Sequence, residues 1–185
     1  MVAGFKAYDE KTDKYGLYPW EDCEDFVAQQ LGECFSSHYS AYLFKKNFIA
    51  SIPHRPDFEF RDDRLFILEV AMAKPRVEVF KQFPFTHRHH IHPRLQQTLG
   101  LGSVVTHWQQ LKLYQRCLTQ LQAQNELTPR RAKAAAKVLW PLAHWIAYTH
   151  PVEAAEVATF VYRLDPSFIS TRNGISRSSL SKTRL

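Results

Sequence analysis

The second half of the chain is a helical block whose limits are marked by prolines. Thr128 before Pro129 is typical of an N-cap followed by proline at the first helical position, where no N–H is needed. A kink is expected at Pro141, and Asp165 before a proline ends the block. Apolar spacing and these signals together predict three helices, over residues 104–124, 130 to about 148, and 151 to about 164.

The first hundred residues form a mixed region with few strands. Residues 1–20 are polar and rich in turn formers, and no helix or strand is predicted there. Elsewhere the pattern predicts helices over 20–35 and 62–73, and strands over 42–44 and 77–80, the latter continued irregularly by 83–85. Because isolated strands need partners, these two are expected to be the edge of a sheet whose other strands lie outside this chain.

Length and composition describe one globular domain. The chain has 185 residues, of which 45% are apolar and 14% aromatic, enough to bury a core. The sequence contains no charge-free apolar window of membrane-spanning length, and the charged N-terminus predicts no signal peptide. Cys23, Cys34 and Cys117 have no CxxC spacing and predict reduced thiols in a cytosolic protein.

Charge is distributed unevenly along the chain. Residues 1–63 hold 7 Lys and Arg against 12 Asp and Glu, a net of −5, whereas residues 64–185 hold 17 against 6, a net of +11. A basic second half attracts nucleic acid, anionic lipid or a phosphate-bearing substrate, although a solvated surface has the same composition. The Ser- and Arg-rich tail, residues 167–185, is expected to be disordered.

Two adjacent carboxylates, Asp62 and Asp63, stand at the start of a predicted helix. One interpretation is an N-cap with a partner for the helix dipole. The other is a general base held rigidly at the mouth of a pocket, within reach of a hydroxyl proton. The flanking Arg61 and Arg64 would keep both carboxylates ionised.

Four histidines follow closely in the segment 87–92, at positions 87, 89, 90 and 92. His87 and His89 would share one face of a strand, and two imidazoles at that spacing can share a divalent metal ion. Imidazole suits transition metals better than magnesium. The alternative is a solvated basic loop that contacts phosphate through Arg88 and Arg94.

The order of short motifs resembles family 2 glycosyltransferases of the GT-A fold. The matching segments are residues 42–49 (YLFKKNFI), 61–66 (RDDRLF), 73–74 (AK) and 83–89 (FPFTHRH), within residues 38–95 overall. The resemblance implies an α+β, helix-dominated fold, with a partial GT-A-like sheet edge in residues 1–100 and a C-terminal three-helix region in residues 101–166.

The resemblance also implies an activity: inverting transfer of a sugar from a nucleotide-sugar to an acceptor hydroxyl. Asp63 would be the base, with Asp62 as its neighbour. His87 and Arg88 would contact the donor phosphates, and His89 with His87 would hold Mn or Mg.

The same resemblance implies the partners. The acceptor would be a glycan or a lipid-linked glycan. The nucleotide-binding half and its D-x-D metal motif are not found here, so a missing N-terminal half or a split subunit is expected, and the chain alone should bind donor poorly. A cytoplasmic location is expected, and the basic helices suit attachment to an anionic membrane surface at its inner face.

Two other functions fit the sequence. The net charge of +11 over residues 64–185 and the Arg-rich tail favour a small basic helical protein that binds nucleic acid without catalysis. Its basic residues are scattered, however, and no known nucleic-acid-binding motif is recognised. The third reading is a partner-binding remnant without catalysis.

Overall fold

The structure, a computed structural model, describes residues 1–58, 61–92 and 101–168, and for residues 101–106 the backbone alone. Two 3-10 turns, Tyr39–Ala41 and Pro56–Phe58, lie in the connections that precede the third helix. The other elements are β1 (Val2–Asp9), β2 (Lys14–Tyr18), α1 (Phe26–Leu31), α2 (Lys46–Ile49), α3 (Asp62–Met72), β3 (Val79–His89), α4 (Leu101–Ala123), α5 (Pro129–Ile146) and α6 (Pro151–Leu164). About 50% of the chain is helical, which confirms a mixed, helix-dominated fold.

The sheet has β1 at its centre, with β2 antiparallel on one side and β3 parallel on the other. The β1–β2 hairpin is closed by Asp9, whose Oδ1 accepts hydrogen bonds from the backbone N–H groups of Lys11 (2.8 Å) and Thr12 (2.9 Å). Asp13 completes the turn with a positive φ of 53°. Local side-chain-to-backbone bonds of this kind stabilise tight turns.

Four expectations about the first half were wrong. Residues 1–20 form two strands, β1 and β2, and the first four residues of β1 are all buried, so this strand lacks the alternation that predicts a strand. Residues 42–44 are not a strand, since Tyr42 makes only an isolated bridge with Val2. The helix predicted over 20–35 is confined to α1. The partner that β3 was expected to find outside the chain is β1, and β2 completes the sheet on the other side of β1.

The second half follows the sequence pattern more closely. Helices α4, α5 and α6 match the three predicted segments, and Thr128 caps α5 by accepting a hydrogen bond from the Arg131 N–H. The helix predicted over 62–73 is α3. Residues 169–185 lie outside the described ranges, so the predicted tail is not tested.

The main core lies between α1, α3, α4, α5 and α6 and joins side chains from both halves of the chain. Leu31 of α1, Leu68 of α3 and Leu139 of α5 are completely buried in it. Gly32 ends α1 with a φ of 110°, and a Cβ at this position would collide with Val138 of α5. Glycine is therefore required for both its backbone angle and the close approach of α5.

No helix in the described ranges is long and apolar enough to cross a membrane.

Candidate functional site

The candidate site surrounds the N-terminus of α3. Asp62 and Asp63 occupy the first turn of this helix, where the helix dipole favours negative charge. The N-cap residue, Arg61, makes no side-chain capping hydrogen bond. Both predicted catalytic carboxylates therefore lie on a helix whose apolar residues Leu65 and Leu68 are fully buried, so their backbone positions are fixed.

Asp62 belongs to a hydrogen-bonded array with His54 and Tyr39. The Nδ1 atom of His54 lies 2.8 Å from Oδ2 of Asp62, and Nε2 of the same ring lies 3.1 Å from the Tyr39 hydroxyl. An ionised carboxylate can only accept a hydrogen bond, so Nδ1 carries the proton and Nε2 accepts from Tyr39. A hydroxyl, an imidazole and a carboxylate in this order can activate a hydroxyl group for attack.

Aromatic packing orients the imidazole of His54. Its ring stacks on Phe66 of α3 with a centroid distance of 4.5 Å and an interplanar angle of 4°. Tyr39 also contacts Phe66, edge-on at 6.1 Å. The side chains of His54 and Asp62 are 49% and 36% exposed, so the array is open to an incoming ligand.

The Tyr39 hydroxyl stays protonated at neutral pH. Burial raises the pKa of Tyr39, and the negative charges of Asp62 and Asp63 raise it further. The phenol therefore donates to His54 as a neutral group. It can pass a proton between a ligand and the imidazole without first ionising.

Tyr39 also lines a cavity of about 190 Å³. Most of its lining is polar, and one wall comes from α4. The lining residues are Ser37, Tyr39, Arg61, Asp63, Arg64, Ile67 and Gln110. Tyr39 thus belongs both to the exposed array with His54 and Asp62 and to a partly open cavity lined by two arginines and one carboxylate.

Arg64 is held firmly at this cavity by α1. Its Nη1 donates to Gln30 Oε1 (3.1 Å) and to Ser36 Oγ (3.3 Å), and its Nη2 donates to the Gln30 backbone carbonyl. Gln30 is completely buried, and its amide also donates to the Tyr42 hydroxyl at 3.2 Å. The Arg64 guanidinium is therefore a fixed charge.

Arg61 and Gln110 differ from Arg64 because each has a buried polar atom without a partner. Among the described residues, no group makes a hydrogen bond with Arg61 Nε or with Gln110 Oε1. Burial lowers the pKa of Arg61, and the negative charge of Asp63 only partly opposes this effect. Unsatisfied buried polar atoms are costly and uncommon, so two on one cavity need an explanation.

The predicted histidine pair lies beside this region on β3. His87 and His89 share one face of the strand, as expected, and their ring centroids are 4.6 Å apart. The ring of His38 lies 4.4 Å from that of His87. Burial lowers the pKa of His38, while the negative charge of Asp63 acts in the opposite direction. His38 thus links the β3 histidines to the N-terminus of α3.

The chemistry of these imidazoles suits a transition metal better than magnesium. Within residues 1–58, 61–92 and 101–168, however, no group of three or more His, Cys, Asp or Glu side chains is arranged to hold a metal ion. The Mn or Mg site at His87 and His89 stays a prediction.

Arg88 points away from the imidazole face of β3. Its Nη2 lies 2.8 Å from Glu10 Oε1, so its charge is paired with a carboxylate just beyond β1. The predicted phosphate contact of Arg88 would have to compete with Glu10. Arg94, the other arginine of the predicted basic loop, lies outside the described ranges.

The sequence analysis proposed Asp62, Asp63, His87, Arg88 and His89 as site residues. It did not propose Tyr39 and His54, which the structure places against Asp62, or Arg61 as a cavity residue. Tyr39 and His54 lie in connecting segments whose spacing to Asp62 follows no helical or strand period. The one feature of the sequence that bears on them is Phe66 of α3, an aromatic residue against which both the Tyr39 and the His54 rings pack. Its partners could not be deduced from the sequence alone.

Comparison with known proteins adds no family assignment. No protein-family model matches the chain, and neither curated proteins nor solved structures include a significant match.

Proposed function

We propose that the chain is a glycosyltransferase, which moves a sugar from a nucleotide-sugar onto a hydroxyl with inversion at the anomeric carbon. The observation that carries this proposal is the Tyr39–His54–Asp62 array beside a cavity with two arginines. Attack by a hydroxyl requires a base within hydrogen-bonding reach, and a His–carboxylate pair is such a base.

In the proposed reaction, the acceptor hydroxyl lies against the Tyr39 oxygen. Its proton passes to that oxygen while the Tyr39 proton passes to Nε2 of His54. The acceptor oxygen forms a bond with the anomeric carbon, and the bond from that carbon to the diphosphate breaks. A nucleoside diphosphate leaves with the electron pair, and the positive charge on His54 is stabilised by Asp62.

The two acids then have different roles. Asp62 orients the imidazole and stabilises its protonated form, as the carboxylate of a triad does. Asp63, which the family resemblance implied as the base, lines the cavity with Arg61 and Arg64 and acts on the electrostatics of the site. His87 and His89, with a divalent metal if one binds there, remain proposed contacts to the donor.

The test uses the purified full chain and a panel of radiolabelled nucleotide-sugars with simple glycosides as acceptors. Release of nucleoside diphosphate and labelled product are both measured. His54→Ala and Asp62→Asn should each lower kcat by about 10²-fold or more. His144→Ala and Asp22→Asn, at exposed positions away from the array, are matched controls and should be unchanged.

The outcomes separate the parts of the proposal. Transfer that persists in His54→Ala would show that the base is wrongly assigned. The absence of release from every donor would contradict glycosyl transfer by this chain. Steeply salt-dependent binding of DNA or RNA by such an inactive chain would favour the nucleic-acid-binding alternative instead.

A further inference from the structure

The cavity at the N-terminus of α3 contains more positive charge than its own residues neutralise. Arg61 and Arg64 face it, and Asp63 supplies the only carboxylate among the described lining residues. His107 of α4 is affected by the same excess, because burial lowers its pKa and the charge of Arg61 lowers it further. With two guanidinium groups and one carboxylate, the lining of the cavity carries a net positive charge.

The unpartnered atoms show what the cavity lacks. Arg61 Nε is a buried charged donor that no described residue accepts from. Gln110 Oε1, which α4 contributes to the lining, is a buried acceptor without a donor among the described residues. A ligand that satisfies both carries an acceptor oxygen for Arg61, for which an anionic oxygen is the strongest partner, and a donor such as a hydroxyl for Gln110.

The space is adequate for such a ligand. About 10–15 Å³ of comparable volume admits one water molecule, so a cavity of about 190 Å³ holds far more than a single water. Tyr39 and Ser37 add hydroxyl groups to the lining. Arg64 is anchored by Gln30 and Ser36, so it provides a charge that does not have to be ordered on binding.

We propose that this cavity binds the phosphate groups of a ligand that also carries free hydroxyls, with Arg61 as the principal anion contact and Gln110 as the hydroxyl contact. A nucleoside diphosphate has this chemistry. The link to a nucleotide-sugar donor rests on the proposed function, whereas anion binding rests on the cavity alone. The chain would then itself supply part of the donor site that was expected in a missing half.

Binding is measured by calorimetry with two probes, inorganic pyrophosphate and uridine diphosphate. Arg61→Gln should raise the Kd for both probes about tenfold or more, because a charge-assisted hydrogen bond is lost. Arg61→Lys retains the charge but not the Nε donor and should be intermediate. Gln110→Met should raise the Kd for uridine diphosphate severalfold and leave the Kd for pyrophosphate unchanged.

Arg76→Gln is the matched control, since its side chain is 90% exposed and lies outside the cavity lining. Wild-type chain that binds neither probe would overturn the proposal. Equal weakening by Arg61→Gln and Arg76→Gln would also overturn it, because binding would then reflect net charge alone.

The same titration separates this site from the proposed reaction. His54→Ala should retain pyrophosphate binding while losing transfer. Binding that depends on Arg61 in a chain with no transferase activity would leave the anion site standing and refute the glycosyl transfer. Transfer that depends on His54 but is indifferent to Arg61 would refute the anion site alone.

Discussion

Replacing Arg61 by methionine should stabilise the fold while removing the anion contact. The guanidinium has a buried Nε without a partner among the described residues, which costs about 1–3 kcal/mol. Its attraction to the partly exposed Asp63 offsets roughly 0–1 kcal/mol of this cost. Arg61 makes no side-chain cap, and methionine retains much of the apolar stem. We therefore expect a gain of about 1–2 kcal/mol, or roughly 2–8 °C in Tm.

The neighbouring Arg64 provides the opposing control. Arg64→Met would leave Gln30 Oε1 and the Gln30 carbonyl without their donor, at a cost of roughly 2–5 kcal/mol. Urea denaturation followed by tryptophan fluorescence, with calorimetry for Tm, measures both variants. A lower midpoint for Arg61→Met than for wild type would refute the reasoning, because the Arg61 side chain would then be satisfied within the fold.

Two further predictions concern the core that supports the site. Gly32→Ala should destabilise the fold by about 2–4 kcal/mol, because φ is 110° there and the new Cβ would collide with Val138; an unchanged urea midpoint would contradict this. Burial raises the pKa of Asp25, but its bonds from Arg131 and from the Ala28 N–H lower it by more, so the net shift is downward. The ionised Asp25 side chain therefore adds to the free energy of unfolding above about pH 4, and this contribution is lost as the pH falls through the lowered pKa that Asp25 has in the folded state. Asp25→Asn should therefore lower the free energy of unfolding at pH 7, and the variant should lose less of it than wild type below pH 4. The same dependence of unfolding free energy on pH in wild type and variant would rule this out.

The long helices could be predicted from the periodicity of the sequence, whereas the three-stranded sheet could not. Helices α4 to α6 have apolar stripes and proline signals that local reasoning detects. The β1–β2 hairpin was missed because β1 is buried on both faces near its start and so lacks clear alternation. A turn signal was present, however, since aromatic residues flank the polar segment from Asp9 to Asp13.

The site was predictable in part for a similar reason. Asp62 and Asp63 stand at a helix start, which sequence patterns identify. Tyr39 and His54 reach Asp62 only because their connections pack on Phe66, and such a contact between loops follows no period. The orphaned atoms of Arg61 and Gln110 depend on the packing of α3 against α4. Burial of this kind is a property of the tertiary fold.

The position of β1 has a consequence for how the chain reaches its native state. The hairpin with β2 is local and can form as soon as both strands exist, but Val2 pairs with Val79 on the other side. Closing so long a loop is slow, and it must follow or accompany assembly of the helices between the two strands. Until β3 arrives, the second edge of β1 remains an unpaired template for other chains. Of the three strands in this sheet, β1 is made before β3, and we expect aggregation of the nascent chain to depend on the time that separates the two.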